Sequence, residues 1–294
     1  MSEQHLLGRR VVVTGAGAGL GATYARTIAA EGAAVVVNDL DPTAAEQVAA
    51  DIRDRGGEAV SFAADVADWD ASAQLIDSCV QRFGSVDGLV NNAGIIGQVG
   101  SMLDTDPAKA AAAFRVNVHG TIGPSVHAAR AMVAAGGGAI VNVSSGNQCG
   151  HLGFATYGAS KGAVSSLTYA WAAELGPKGV RVNAISPNAH TKMIDDLTAQ
   201  LGENPEERDY PSESDNAAVV VFLLSGRAAH LNGQVIRVDK DLVSVTSHPV
   251  VIEPRVGIDY SPANVAAVFD GELRDGLQPL GISIAAVKHV EPLY

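Results

Sequence analysis

"VVVTGAGAGLGATYA", residues 11–25, decides how this chain folds. Three valines run into a threonine and a set of glycines, and small and apolar residues at helical spacing follow. Strand, tight turn and helix in that order open a βαβ unit when a second apolar strand comes soon after. That strand is present as "AAVVVND" from residue 33. Gly15, Gly19 and Gly21 permit, in turn, the tight turn, close approach of a pyrophosphate to the backbone, and close packing of the helix, whose N-terminus faces the phosphates.

Working outward, short β-branched runs recur as "AVSFAAD" from 59, "DGLVNNAG" from 87, "GAIVNVSS" from 138, "VRVNAISP" from 180 and "GQVIRVD" from 233. Between them Ala22 to Glu31, Pro42 to Arg55, Ala71 to Phe83 and Ala159 to Leu175 carry apolar residues at mixed three and four spacings. Fully apolar strands separated by helix-length segments pair in parallel, with helices on both faces. The expected fold is therefore α/β, a doubly wound, mostly parallel sheet of the Rossmann type with a C-terminal extension. Residues 1–240 form the expected single domain. Residues 241–294 hold prolines, strand-like pieces such as "LVSVTSHPVVIEP" and "GISIAAVKHV", and one helix from Pro262 to Phe269. Those pieces are too apolar for a solvated linker, so the extension is expected to pack on the core or on a neighbouring subunit of a homo-oligomer, a dimer or tetramer.

A formal net charge of −12 argues against nucleic acid or an anionic membrane as the main partner and leaves a small-molecule substrate. Two cysteines, Cys79 and Cys149, stand far apart without metal-like spacing, so neither a disulfide framework nor a metal site is expected. The first ten residues lack an apolar signal core, which reads as cytoplasmic.

Asp39 lies eighteen residues after Gly21, at the end of the second strand. A carboxylate there accepts hydrogen bonds from both hydroxyls of an adenosine ribose and repels a 2′-phosphate. Ala16, Gly17, Ala18 and Leu40 offer no cation to hold such a phosphate. NAD is thus expected over NADP. In "TYGASKGA", residues 156–163, Tyr157 and Lys161 are spaced i, i+4 and share a helix face. An adjacent ammonium draws a phenol down from its usual value near 10 and makes it a proton acceptor.

Six motifs in order, "TGAGAGLG" at 14–21, "DV" at 65–66, "NNAG" at 91–94, "RVNVHG" at 115–120, "VNVSS" at 141–145 and "YGASK" at 157–161, resemble the short-chain dehydrogenase/reductase family over roughly residues 6–240. The resemblance implies a cofactor site of Gly15, Gly19, Leu20, Gly21, Asp39, Leu40, Asp65, Val66, Asn92, Ala93, Gly94, Tyr157 and Lys161. It also implies a catalytic set of Asn117, a serine, Tyr157 and Lys161, in which Asn117 anchors a water linked to the lysine. Counting thirteen residues back from the tyrosine points to Ser144; strand register points to Ser145. Strand ends are held by the sheet whereas loops absorb deletions, which favours Ser145 and leaves the other serine as a loop cap.

"SPNAHTKM", residues 186–193, and "VVVNDL", residues 35–40, resemble a narrower branch, that of hydroxyacyl-CoA and 17β-hydroxysteroid dehydrogenases. By that likeness Pro187 and Asn188 line the nicotinamide side, and Thr191 touches the cofactor. The expected activity is NAD-dependent interconversion of a secondary alcohol and a ketone on a bulky apolar substrate, a hydroxysteroid or terpenoid, with His151 and Phe154 as substrate contacts. A 3-hydroxyacyl-CoA substrate is the alternative and needs a basic patch, for which Lys192, Arg208, Arg227 and Lys240 are available. A non-catalytic NAD-binding regulator usually shows a broken catalytic set, and this one is complete.

Overall fold

The computed structural model describes residues 4–188, 213–239, 241–249, 256–257, 262–274 and 277. Strand β1 (Arg10–Val13) leads through the glycine turn into α1 (Gly19–Ala30), then β2 (Ala34–Asp39), α2 (Pro42–Asp54), β3 (Glu58–Ala63), α3 (Trp69–Phe83) and β4 (Gly88–Asn91). A second set follows: α4 (Pro107–Phe114), a π-helical turn (Arg115–His119), α5 (Gly120–Ala135), β5 (Gly138–Val143), α6 (Ala155–Leu175) and β6 (Val180–Ser186). The described residues continue with α7 (Glu213–Leu224), β7 (Val235–Asp239), β8 (Leu242–Thr246) and α8 (Pro262–Asp270). The strands form one sheet ordered β3-β2-β1-β4-β5-β6-β7-β8, parallel except where β8 runs against β7.

Alternation along each strand divides the core. Val11, Val13, Val35 and Val37 pack with Tyr24 and Ile28 of α1, Val48 and Ile52 of α2, and Val220 and Leu223 of α7. Val12 and Val36 face the other way, toward Leu75 and Ile76 of α3, Met132 of α5 and Ala172 of α6. With both faces covered, the inward positions of both alternations, Val11–Val13 and Val35–Val37, are apolar. Within the second layer a polar chain fixes the central strands to their helices. The Asn91 amide donates to Asn142 Oδ1 and Ser125 Oγ, both at 2.8 Å, and the Asn142 amide donates to Thr168 Oγ1 at 2.9 Å.

Strand order reverses between β1 and β4, so their C-terminal ends splay into a crevice. The sequence-based helix starts at Ala22 and Ala159 fall short of the observed starts at Gly19 and Ala155, because small residues in both segments hide the first turn. The chain divides into two compact units, Met1–Thr246 and Ser247–Tyr294. In the second, α8 lies where a helix was expected; the apolar pieces at 250–255 and 281–290 lie outside the described residues, as do Thr191, Lys192, Arg208 and Lys240.

Candidate active site

The turn after β1 is built for backbone contact. Gly15 takes φ +59°, and a Cβ there would lie 2.7 Å from Ala93 Cα. Gly21 is tighter still: a Cβ would lie 2.1 Å from the Gly15 carbonyl oxygen and 2.4 Å from Asn92 Nδ2. Asn92 explains the closeness, since its amide donates to the carbonyls of Thr14 at 3.0 Å and Gly15 at 2.9 Å. Thr14 Oγ1 in turn accepts from the N–H groups of Asn92 and Ala93 at 3.0 and 3.1 Å. The loops after β1 and β4 are thereby stitched across the crevice. Helix α1 starts behind Ala18, which offers no side-chain cap, so its first N–H groups suit an anionic ligand. A turn whose Gly15 and Gly21 leave no room for a Cβ against Ala93, Asn92 and the turn's own backbone, beside first-turn helix N–H groups without a side-chain cap, fits a dinucleotide pyrophosphate. Gly21→Ala is expected to cost about 1–3 kcal/mol through overpacking, lowering the thermal midpoint and abolishing dinucleotide binding by calorimetry.

Leu20 follows Gly19 in the first turn of α1, part-buried against the first core layer. At the end of β2, Asp39 Oδ2 accepts the Gly17 N–H at 2.8 Å and Oδ1 accepts the Asp41 N–H at 3.1 Å. Leu40 beside it is 73% exposed. Asp65, in the loop after β3, pairs with Arg115 and accepts the Ala67 N–H at 2.9 Å. Burial works to raise its carboxyl, but Arg115 and the Ala67 N–H overcome this and hold it below the usual carboxylate range. Val66 is buried beneath the same loop, against Gly120. Arg115 was missed in the sequence; the only signal was its place two residues before Asn117.

Asn117 sits in the π-helical turn between α4 and α5, where an extra residue in the helix turns the side chain inward. Its amide donates to Ile95 O and Ser160 Oγ, both at 2.9 Å, and its Oδ1 accepts the Ile95 N–H at 2.8 Å. A Cβ at Gly94 would lie 3.1 Å from that Oδ1 and 3.3 Å from Lys161 Nζ, so the loop after β4, the π turn and α6 converge here.

Tyr157 and Lys161 share a face of α6, with Nζ 5.8 Å from the phenol ring centroid. Lys161 is 4% exposed, and its ammonium donates to the Val143 carbonyl at 2.7 Å. Burial pushes its pKa down to about 8. The phenol differs from the sequence-based expectation. Burial raises it above the ordinary value, and a hydrogen bond with Ser145 opposes the rise only in part. Desolvation of the anion outweighs the neighbouring cation because that cation is turned to Val143.

The adjacent serines have separate places. Ser145 bonds the Tyr157 side chain and accepts the Asn147 N–H at 3.2 Å, so it also caps the short turn Gly146–Cys149. Ser144 is 1% exposed and donates to the Lys161 carbonyl at 3.1 Å. The loop-cap role expected for Ser144 is therefore corrected: the loop bends only after β5 ends at Val143, and Ser144 still donates its N–H to Ile185 O. Phe154 lies edge-on to Tyr157 with centroids 6.5 Å apart, and His151 to Phe154 at 5.4 Å. Pro187 and Asn188 follow β6; the Asn188 amide donates to Asp239 Oδ1 at 2.8 Å and its N–H to Val238 O at 3.1 Å. Arg227 contacts His5, ahead of β1, and so stands near the N-terminal ends of the strands, away from the crevice.

Lys161 has no carboxylate partner among the described residues, so its charge is a burden on the fold below pH 8. Its folded pKa is depressed, so from about pH 8 to its unfolded value the unfolded chain holds the extra proton. Stability then gains about 1.4 kcal/mol per pH unit at most. Lys161→Met is expected to be more stable than the parent to urea at pH 7, with the gap closing toward pH 10.

The short chain dehydrogenase family model matches residues 9–202. The chain is 36% identical over 243 residues to cis-4-hydroxycyclohexanecarboxylate dehydrogenase of Sinomonas cyclohexanicum, covering 81% of this chain and 97% of that protein. A short chain dehydrogenase from Mycobacterium avium superposes with a TM-score of 0.83 at 34% identity, over 96% of this chain and all (100%) of the other. A 7α-hydroxysteroid dehydrogenase complexed with NADH and 7-oxo glycochenodeoxycholic acid superposes with a TM-score of 0.75 at 32% identity, over 81% and 95%. With the glycine turn, the stitched crevice and the Tyr157–Lys161 face assembled at the C-terminal ends of the central strands, the chain belongs to the short-chain dehydrogenase family of oxidoreductases.

Proposed function

We propose that this protein is an NAD-dependent dehydrogenase, or ketone reductase, of a bulky apolar secondary alcohol of the hydroxysteroid or terpenoid class. The observation that carries the reading is the meeting of Tyr157, Ser145 and Lys161 with the glycine turn at one crevice, beneath an apolar rim. Two loops build that rim, joined where the Gly100 N–H donates to Gly153 O at 3.0 Å. They expose Met102, Leu103 and Leu152 and carry Phe154 to the tyrosine. Such a rim favours a rigid hydrocarbon over a polyol. Two of the related proteins named above, a hydroxycyclohexanecarboxylate dehydrogenase and a hydroxysteroid dehydrogenase holding a bile-acid ketone, support the same class.

A nicotinamide dinucleotide, when bound, supplies the hydride acceptor. The glycine turn holds its pyrophosphate, Asp39 its adenosine ribose, and Asp65 and Val66 its adenine; Pro187 and Asn188 line the nicotinamide side. Ser145 donates a hydrogen bond to the substrate oxygen and keeps it within reach of Tyr157. Tyr157 takes the hydroxyl proton in oxidation and returns it in reduction. Lys161 favours the phenolate when its charge faces the ring, and Asn117 holds the loop after β4 against it. Because burial raises the phenol, proton donation suits neutral pH, and oxidation quickens as pH rises. A homo-oligomer in the cytoplasm, with residues 241–294 as its extension, belongs to the same proposal.

The test is a screen of NAD reduction across hydroxysteroids, cyclic terpenoid alcohols, aliphatic alcohols, sugar alcohols and 3-hydroxyacyl-CoA thioesters. The highest kcat/KM is expected among the fused or bridged ring alcohols. A preference for sugar alcohols or for the thioesters overturns the substrate assignment, and no turnover with any class overturns the activity.

A further inference from the structure

We propose that Ser144, backed by Ser165, is a positioning residue that sets where Lys161 stands relative to Tyr157. Consecutive residues at the end of β5 hold the lysine at its two extremities. The Val143 carbonyl accepts from Nζ at 2.7 Å, and the Ser144 hydroxyl donates to the Lys161 backbone carbonyl at 3.1 Å. Ser144 Oγ also bonds Ser165 Oγ, one turn further along α6, at 2.8 Å. Ser144 N–H meanwhile donates to Ile185 O at 2.8 Å, so the grip is anchored in the β5–β6 ladder. All three side chains are buried, at 1% exposure for Ser144, 3% for Ser165 and 4% for Lys161.

A helical carbonyl has a second lone pair that usually meets water or nothing. Here it is spent on a buried hydroxyl from a strand, which removes the freedom of α6 to slide along β5 at that turn. A slide would carry Nζ and the phenol along together but would break the 2.7 Å bond to Val143, so the two contacts fix both the depth and the direction of the ammonium. The serine does not relay protons from the ammonium, since its hydroxyl proton is committed to the carbonyl and its remaining partner is Ser165. Titratable groups around the grip are Tyr157 on the crevice side and Tyr169, which Ser165 also bonds, on the other.

The inference rests on the reading of Lys161 as the cationic partner of Tyr157, and its test separates the two. The kcat/KM of NAD-linked oxidation is measured against pH for the parent, Ser144→Ala, Ser165→Ala, Lys161→Met and the Ser144→Ala/Lys161→Met double variant. Ser144→Ala is expected to lower kcat/KM about tenfold and to displace the limb that rises with pH by about half a unit, because the lysine is no longer held at one depth and direction relative to the phenol. Ser165→Ala, which keeps the bond to the Lys161 carbonyl, moves the limb less. The double variant loses nothing beyond Lys161→Met, since both substitutions act through one group. Ser144→Cys keeps the volume without a strong donor and serves in place of Ser144→Ala should that chain not fold. A limb that stays put while only the thermal midpoint drops, or additive losses in the double variant, overturns the inference. Full turnover in Lys161→Met overturns the reading of the site beneath it.

Discussion

Tyr157→Phe is expected to abolish turnover and to leave dinucleotide affinity within a few fold of the parent. The ring still packs against Phe154 and beneath Lys161 Nζ, so the crevice keeps its shape. What disappears is the hydroxyl that Ser145 bonds and that the proposed mechanism uses to exchange the substrate proton. Loss of a positioned general acid–base is worth about 100–10,000-fold in rate. In kcat this exceeds anything expected from the surrounding polar groups, because the effect falls on the transition state rather than on ground-state binding. Calorimetric binding of NADH and stopped-flow turnover on the same preparation check it. Turnover near the parental rate with cofactor bound removes Tyr157 from the mechanism. The pH limb of oxidation should vanish in the same variant, since the proposed proton acceptor is gone.

Asp39→Ala is expected to shift the cofactor preference from NAD toward NADP. A 2′-phosphate about 4 Å from a carboxylate costs on the order of 4 kcal/mol per pair of unit charges at an effective dielectric near 20, less with salt. Even half of that moves the NAD to NADP ratio of catalytic efficiencies by about thirtyfold. The geometry adds a second loss for NAD. Asp39 Oδ2 receives the Gly17 N–H at 2.8 Å, so the alanine variant also frees one strut of the glycine turn. NAD efficiency should therefore fall outright rather than merely relative to NADP. Leu40→Arg in that background is expected to carry the ratio further toward NADP, since an exposed position accepts a guanidinium without burying it and a guanidinium pairs bidentately with phosphate. Initial rates with both cofactors for the parent and two variants provide the check. A parent that prefers NADP, or a ratio unmoved by the alanine, means that the carboxylate does not meet the ribose.

Some of this molecule is decided by the sequence alone, for a physical reason that runs through all of it: the deciding forces are local. Valine runs such as Val11–Val13 and Val35–Val37 can only be central strands, because no other element buries β-branched residues on both faces. Four-residue spacing puts Tyr157 and Lys161 on one helix face whatever surrounds them. A glycine turn between strand and helix states its own geometry, and Asp39 follows as the end of the next strand.

Tertiary structure decided the rest, where the answer is a sum over elements distant in the chain. Arg115 meets Asp65 across fifty residues, and neither residue's neighbours announce the other. Asn117 gains its inward aim from a π turn that depends on the loop after β4. The two serines are indistinguishable by type and nearly so by count; the ladder between β5 and β6 assigns Ser144 to the interior and Ser145 to the crevice. The same holds for charge. Proximity in a helix predicts a lowered phenol, but burial by three converging segments raises it, and the Val143 carbonyl turns the ammonium aside. Desolvation depends on everything that excludes water from a group, and only the assembled fold contains that information.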